Sequence, residues 1–155
     1  MAYLYGMAIE CGSEIKAAEQ IQEHFKTMDL ILLNNKISTF TINLEKENKD
    51  YGEISWWVNI YSNEFQTGEG SPEIARVLYK TLETAPNFRF AIVGVEVLLF
   101  ISFEDISNIL NDPSCVAKSY GGLVLSKSTI LGTQSESLFE HFSDNYVWML
   151  NRWRG

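Results

Sequence analysis

Residues 88–100, FRFAIVGVEVLLF, constrain the fold more than any other stretch, because every position except Arg89 and Glu96 is apolar, aromatic or glycine. A run that is apolar on both alternating faces suits a strand covered from both sides. It is too short, and too interrupted by Glu96, to cross a bilayer. The spacing predicts a strand over 88–97, with the rest of the chain serving to cover it or pair with it.

The segments before it alternate between strand and helix periods. In YLYGMAIE at 3–10, Tyr3, Tyr5, Met7 and Ile9 share one face, and Leu4, Gly6 and Ala8 share the other. The small second face suits a strand packed closely against a neighbouring layer. Ser13 stands at an N-cap position. Ile15, Ala18, Ile21 and Phe25 then recur at helical spacing, with Glu14, Glu19 and Glu23 turned outward, predicting a helix over 14–27. Residues 37–45 and 53–61 alternate cleanly around the polar tip EKENKDYGE, which reads as a hairpin. Ser71 and Pro72 open a helix over 72–85, where proline at the first position costs no hydrogen bond. Its buried stripe is Ile74, Val77, Leu78 and Leu82, and Pro86 marks its end.

The order β-α-β-β-α-β is that of a ferredoxin-like α+β unit, with two helices on one face of an antiparallel sheet. The other face is left to water, to a partner or to the rest of the chain. Residues 101–155 are too few for an ordinary second domain. They predict a helix over 103–111 capped by Ser102 and Asp105 and stopped by Pro113, strands over 120–126 and 145–153, and one or two helical turns in SESLFEHF. Phe139, Phe142, Tyr146, Trp148 and Trp153 need something to cover. This extension is therefore expected to pack on the sheet or lengthen it beside strand 88–97. The whole of 1–155 reads as a single domain, with a core at 1–100 and an extension at 101–155.

At 46% hydrophobic, 155 residues can bury a substantial core. The net charge of −8 works against binding to nucleic-acid phosphates and anionic membranes and favours a basic partner. The acidity is uneven. Residues 1–70 carry eleven acids against five lysines, a balance of −6, and residues 71–155 carry nine acids against seven bases, a balance of −2. Cys11 and Cys115 sit in no metal or redox spacing, and MAYLYGMAIE lacks the basic start of a signal peptide. The expectation is a cytoplasmic protein with reduced thiols.

No catalytic constellation emerges. Ser119 and Ser126 lack a nucleophile-elbow context. GEGSP at 68–72 precedes a helix but lacks the lysine of a phosphate-binding loop. His24 and His141 have no ligand-spaced partners, and no metal or cofactor is implied. Two candidate sites remain. The first is a partner-binding surface made from the acidic hairpin tip, Glu47, Asp50, Tyr51 and Glu53, together with Trp57 and Tyr61 on the uncovered strand face beside Thr39, Thr41 and Asn43. Aromatic side chains there would supply desolvated anchors. The second is a pocket between sheet and extension lined by Glu96, Tyr146, Trp148 and Arg152. A carboxylate in the apolar run would need a cation such as Arg89, Arg152 or Arg154, or would take up a proton.

The leading expectation is a non-enzymatic acidic protein-binding module. An immunity- or antitoxin-like inhibitor of a basic protein is its sharpest form. Two other readings stay open: an enzyme or small-molecule binder using the Glu96 pocket, and a domain that self-associates as a homodimer through an uncovered face or edge strand.

Overall fold

The computed structural model describes residues 2–3, 5–28, 31–33, 36–48, 52–63, 66–67, 72–95, 103–119 and 121–149. In chain order its main elements are β1 (Tyr5–Glu10), α1 (Ile15–Phe25), β2 (Phe40–Asn48), β3 (Ile54–Ser62), α2 (Pro72–Glu83), β4 (Phe90–Val95), α3 (Phe103–Ile109), α4 (Pro113–Ser119), β5 (Val124–Ser126), α5 (Lys127–Ile130), β6 (Phe139–Ser143) and β7 (Tyr146–Met149). The strands form one open antiparallel sheet in the order β6-β7-β5-β4-β1-β3-β2. Ala2–Tyr3 pairs with Gln66–Thr67, and Ile31–Leu33 with Lys36–Ser38, as two small separate ladders. The architecture is α+β, with five α-helices beside a seven-stranded sheet among the described residues.

The apolar run supplies β4, which is the middle strand of the seven. It pairs with β1 through Tyr5↔Val95 to Glu10↔Phe90, and with β5 through Phe90↔Leu125 and Ala91↔Val124. The C-terminal segment therefore lengthens the sheet beside β4, and it also packs on it.

Strand periodicity sends alternate side chains into two separate cores. On the first face, Tyr5, Met7 and Ile9 of β1, Val58 and Ile60 of β3, and Ala91 and Val93 of β4 meet Ala18, Ile21 and Phe25 of α1 and Ile74, Leu78 and Leu82 of α2. Ile21, Ile74 and Leu78 are fully buried, each worth about 1.5–3 kcal/mol of apolar transfer. On the second face, Ala8, Trp57, Phe90 and Leu125 meet Ile106 and Leu110 of the α3 region, Val116 of α4 and Ile130 of α5. Helices thus lie on both faces. The expectation that helices shield one face alone is corrected, because the extension supplies enough apolar surface to fill part of the other.

Several local expectations shift for identifiable reasons. Glu14, not Ser13, occupies the N-cap of α1 and makes no side-chain cap bond. Ile15, placed in the buried stripe by its spacing, is 40% exposed because it lies in the first turn. Pro113 does end one helix, but it also opens the next. It takes the first position of α4, where Asp112 accepts from the Cys115 N–H (3.2 Å). SESLFEHF holds one helical turn, the 3-10 turn Glu136–Leu138, and its second half is the strand β6, which was not expected. Of the strand expected over 145–153, Tyr146–Met149 is strand, and 150–153 lie outside the described residues.

Gly6 fits because β1 and β3 approach closely there: a Cβ would collide with the carbonyl oxygen of Ile60. At the other end of β1, Cys11 and Gly12 together oppose Trp56. Cys11 N–H donates to Trp56 O (2.8 Å), and Trp56 N–H donates to Gly12 O (2.8 Å). This is a β-bulge, and Gly12 takes the left-handed φ of +84° that it requires.

Candidate functional site

The bulge ends β1 at Glu10, which is fully buried on the second face. Burying a carboxylate is tolerable only if donors replace its water, and here four do. Oε1 accepts from the Gly12 N–H (2.6 Å), the Ser55 hydroxyl (2.7 Å) and Arg89 Nη2 (2.9 Å), while Oε2 accepts from Arg89 Nε (2.6 Å). The guanidinium grips the carboxylate through two nitrogens, the geometry that favours arginine over lysine. Register brings the pair together: Glu10 lies opposite Phe90, and Arg89 N–H donates to Glu10 O (2.8 Å) just before β4 begins.

Arg89 is not enclosed as its partner is. Its side chain is 38% exposed, and the guanidinium carbon lies 4.3 Å from the Phe103 ring centroid, which ties the site to α3. The outer side of Arg89 opens into a cleft of about 480 Å³ lined also by Ser13, Glu14, Gly52, Glu53 and Ile54. The hairpin tip, the start of α1 and the start of β4 thus converge on one place.

Neighbouring groups bound the chemistry available. Burial, and then the charge of Glu10, push the Cys11 thiol up to about 12 despite the opposing pull of Arg89. Cys11 is a free, protonated thiol at neutral pH and a poor nucleophile. The Tyr79 and Tyr146 phenols are also raised, chiefly by burial. His24 Nε2 lies 2.8 Å from Thr81 O, bridging α1 to α2. No group of three or more metal-ligating side chains occurs among the described residues. Among the described residues that line it, the cleft offers one held cation, two carboxylates, a hydroxyl and an apolar side chain.

The residues singled out from sequence fall in different places. Glu53 is exposed at the cleft. Glu47 is half-buried and accepts from Trp57 Nε1 (3.0 Å). Trp57, expected on an uncovered face, is a core residue instead: it is 5% exposed and sits edge-on to Phe90 at 5.4 Å. Tyr61 is half-buried, and its hydroxyl accepts from Asn43 Nδ2 (3.1 Å). Asp50 and Tyr51 lie outside the described residues. Tyr146 and Trp148 are buried in the first-face core. The Tyr146 ring stacks on Phe88 at 4.2 Å, and its hydroxyl both donates to Phe88 O (2.9 Å) and accepts from Phe88 N–H (3.0 Å). Glu96 and Arg152, the other two residues expected to line that pocket, lie outside the described residues.

Sequence reasoning missed Glu10 as a site residue and offered Arg89 to a different acid, Glu96. The available signal was a carboxylate closing one apolar strand and an arginine opening another. No family model, curated protein or solved structure matches this chain. No helix among the described residues is long and apolar enough to cross a membrane.

Proposed function

We propose that this chain is an acidic, non-enzymatic protein-binding module that recognises a basic segment of another protein around the Arg89 cleft. The observation that carries this reading is the placement of exposed apolar side chains beside acids. Ile54, 37% exposed, lines the cleft with Glu14 and Glu53, and Ile15, 40% exposed, follows Glu14 in the chain. An apolar anchor inside a charged rim is the usual anatomy of a protein interface. The exposed acids Glu19 and Glu23 lie farther along α1, with Lys16 beside them and Glu23 paired to Lys26. Arg89, held by Glu10, gives the cleft a fixed floor.

An immunity- or antitoxin-like inhibitor remains the sharpest version of this reading, since acidic charge speeds encounter with a basic target. We read β4-β1-β3-β2 with α1 and α2 as a ferredoxin-like unit, and the C-terminal strands as an addition that makes one folding unit of the chain. The free thiols of Cys11 and Cys115 support a reducing, cytoplasmic setting.

The test compares the wild-type chain with a Glu14→Gln/Glu53→Gln/Ile54→Ser variant in affinity capture from the native extract at low and high salt. A specific partner held by the wild type should weaken at least about tenfold in the variant and fall off as salt screens the charges. The three sites are surface positions, so the melting temperature serves as the folding control. Equal capture by both proteins, or capture indifferent to salt, overturns the reading.

A further inference from the structure

The two edges of the sheet are not equally protected. β6 is five residues long, and its register shifts between His141 and Ser143, which spoils it as a template. β2 is nine residues long, contains no proline, and pairs with β3 in unbroken register from Phe40↔Ser62 to Asn48↔Ile54. Among the described residues no strand pairs with its outer side.

The direction of its hydrogen bonds follows from one contact. Asn63 N–H donates to Thr39 O (2.9 Å), and these two residues continue the β2–β3 register. In an antiparallel ladder, hydrogen-bonded and non-bonded pairs alternate. Thr41, Asn43, Glu45 and Glu47 therefore direct their backbone groups at β3, and Phe40, Ile42, Leu44 and Lys46 direct theirs outward. The outward Ile42 carbonyl accepts one long bond, from Gln22 Nε2 (3.4 Å), which an added strand would share or displace. Side chains divide the same way. Phe40, Ile42 and Leu44 are partly buried against the α1–α2 core, and Glu45 and Glu47 lie on the opposite face.

We propose that an extended basic segment of a partner protein adds to the outer side of β2 as an eighth strand, using main-chain bonds to Phe40, Ile42, Leu44 and Lys46. This rests on the acidic-module reading above and names the mode of recognition. The added strand would carry apolar residues at alternate positions, completing the half-covered row of Phe40, Ile42 and Leu44. Lysine or arginine at the intervening positions would face Glu45 and Glu47. Charge selects this occupant over a second copy of the chain, since each copy carries −8 and brings the same two acids. β2 also leads directly into the hairpin whose far side holds Glu53 and Ile54, so a strand on this edge runs toward the acid-rimmed cleft.

The probe is a capped eight-residue peptide of alternating valine and lysine, with a control peptide N-methylated along one edge so that it cannot form a ladder. Amide exchange is followed residue by residue in the full chain. Strand addition slows exchange at Ile42, Leu44 and Lys46 with the first peptide and not with the second. Lys46→Pro deletes an outward N–H without touching the β3 ladder and makes the surface more acidic. Strand addition then weakens by about tenfold or more, whereas purely electrostatic binding would strengthen. Perturbation confined to Ser13, Glu14, Glu53 and Ile54 overturns strand addition while leaving the acidic-module reading standing. Protection of the β2 amides that grows with protein concentration in the absence of peptide assigns the edge to a second copy and overturns the proposal. No response at any residue overturns it as well, and the capture experiment above then decides the broader reading separately.

Discussion

On the face covered by α1 and α2, β1 contributes Tyr5, Met7 and Ile9, all fully buried; on the opposite face the same strand contributes Gly6, Ala8 and Glu10. The contrast continues on β3, which sends Trp56, Val58 and Ile60 one way and Ser55, Trp57 and Asn59 the other. The first face is filled by volume. The second combines small residues of β1 with Trp57 and Phe90, an ion pair whose carboxylate is buried and whose arginine is half-exposed, and an Asn59 Oδ1 that is buried without a hydrogen-bond partner among the described residues, which costs about 1–3 kcal/mol for an orphaned oxygen. One backbone therefore carries two different designs. Dense packing that any well-shaped hydrophobe could supply lies on one side, and specific polar geometry beside the candidate site lies on the other.

The strongest way to break this contrast is to remove one member of the ion pair. Arg89→Met leaves the Glu10 carboxylate buried with only Gly12 and Ser55 as donors, and should cost about 3–5 kcal/mol in chemical denaturation. Glu10→Leu/Arg89→Met should recover most of that loss, since an apolar pair of similar volume often matches a buried salt bridge. A double variant as unstable as the single one would show that the second face depends on its charges for stability after all.

A smaller effect is expected from the first face. Leu78→Ala should cost about 3 kcal/mol through lost transfer energy and a cavity, whereas Leu78→Met should cost under about 1.5 kcal/mol. Equal losses from the two would mean that shape, and not volume, governs this core.

The smallest effect is a pH dependence at the junction of the two designs. Folded Cys11 keeps its proton up to about pH 12, while the unfolded thiol releases it near the usual value of about 8.5. The unfolded state therefore binds fewer protons between these limits. Stability is unaffected below that range and falls as pH rises through it, by about 1–2 kcal/mol at pH 10. The difference between wild type and Cys11→Ala, measured from pH 8 to 10.5, isolates this contribution from the raised tyrosines. A flat difference would mean that Cys11 is less enclosed than its 7% exposure indicates.

The strands and the two long helices were legible because their apolar residues recur at the period of the element that holds them. Ile21, Phe25, Leu78 and Leu82 announce their helices, and Met7 and Ile9 their strand. What was not legible depended on distance. Glu10 and Arg89 are 79 positions apart, and only the β1–β4 register joins them. The covering of Trp57 was hidden for the same reason, since Ile106 and Leu110 reach it from a later part of the chain. Pro113 was read only as a stop, and the helix it opens was missed because the same missing donor serves both roles. Glu53 could be read as an exposed acid, but nothing local revealed that Ser13, Glu14 and Arg89 would share its cleft.

The position of β1 between β3 and β4 has a consequence for how the chain is made. Both neighbours leave the ribosome after it, and Phe90, opposite Glu10, follows about 80 residues later. At translation rates of roughly 5–20 residues per second, that interval lasts roughly 4–16 s. Throughout it the nascent chain presents Tyr5, Met7 and Ile9 without their final cover and Glu10 without its arginine. Among the interior strands of the sheet, β1 thus waits longest in sequence for its second partner.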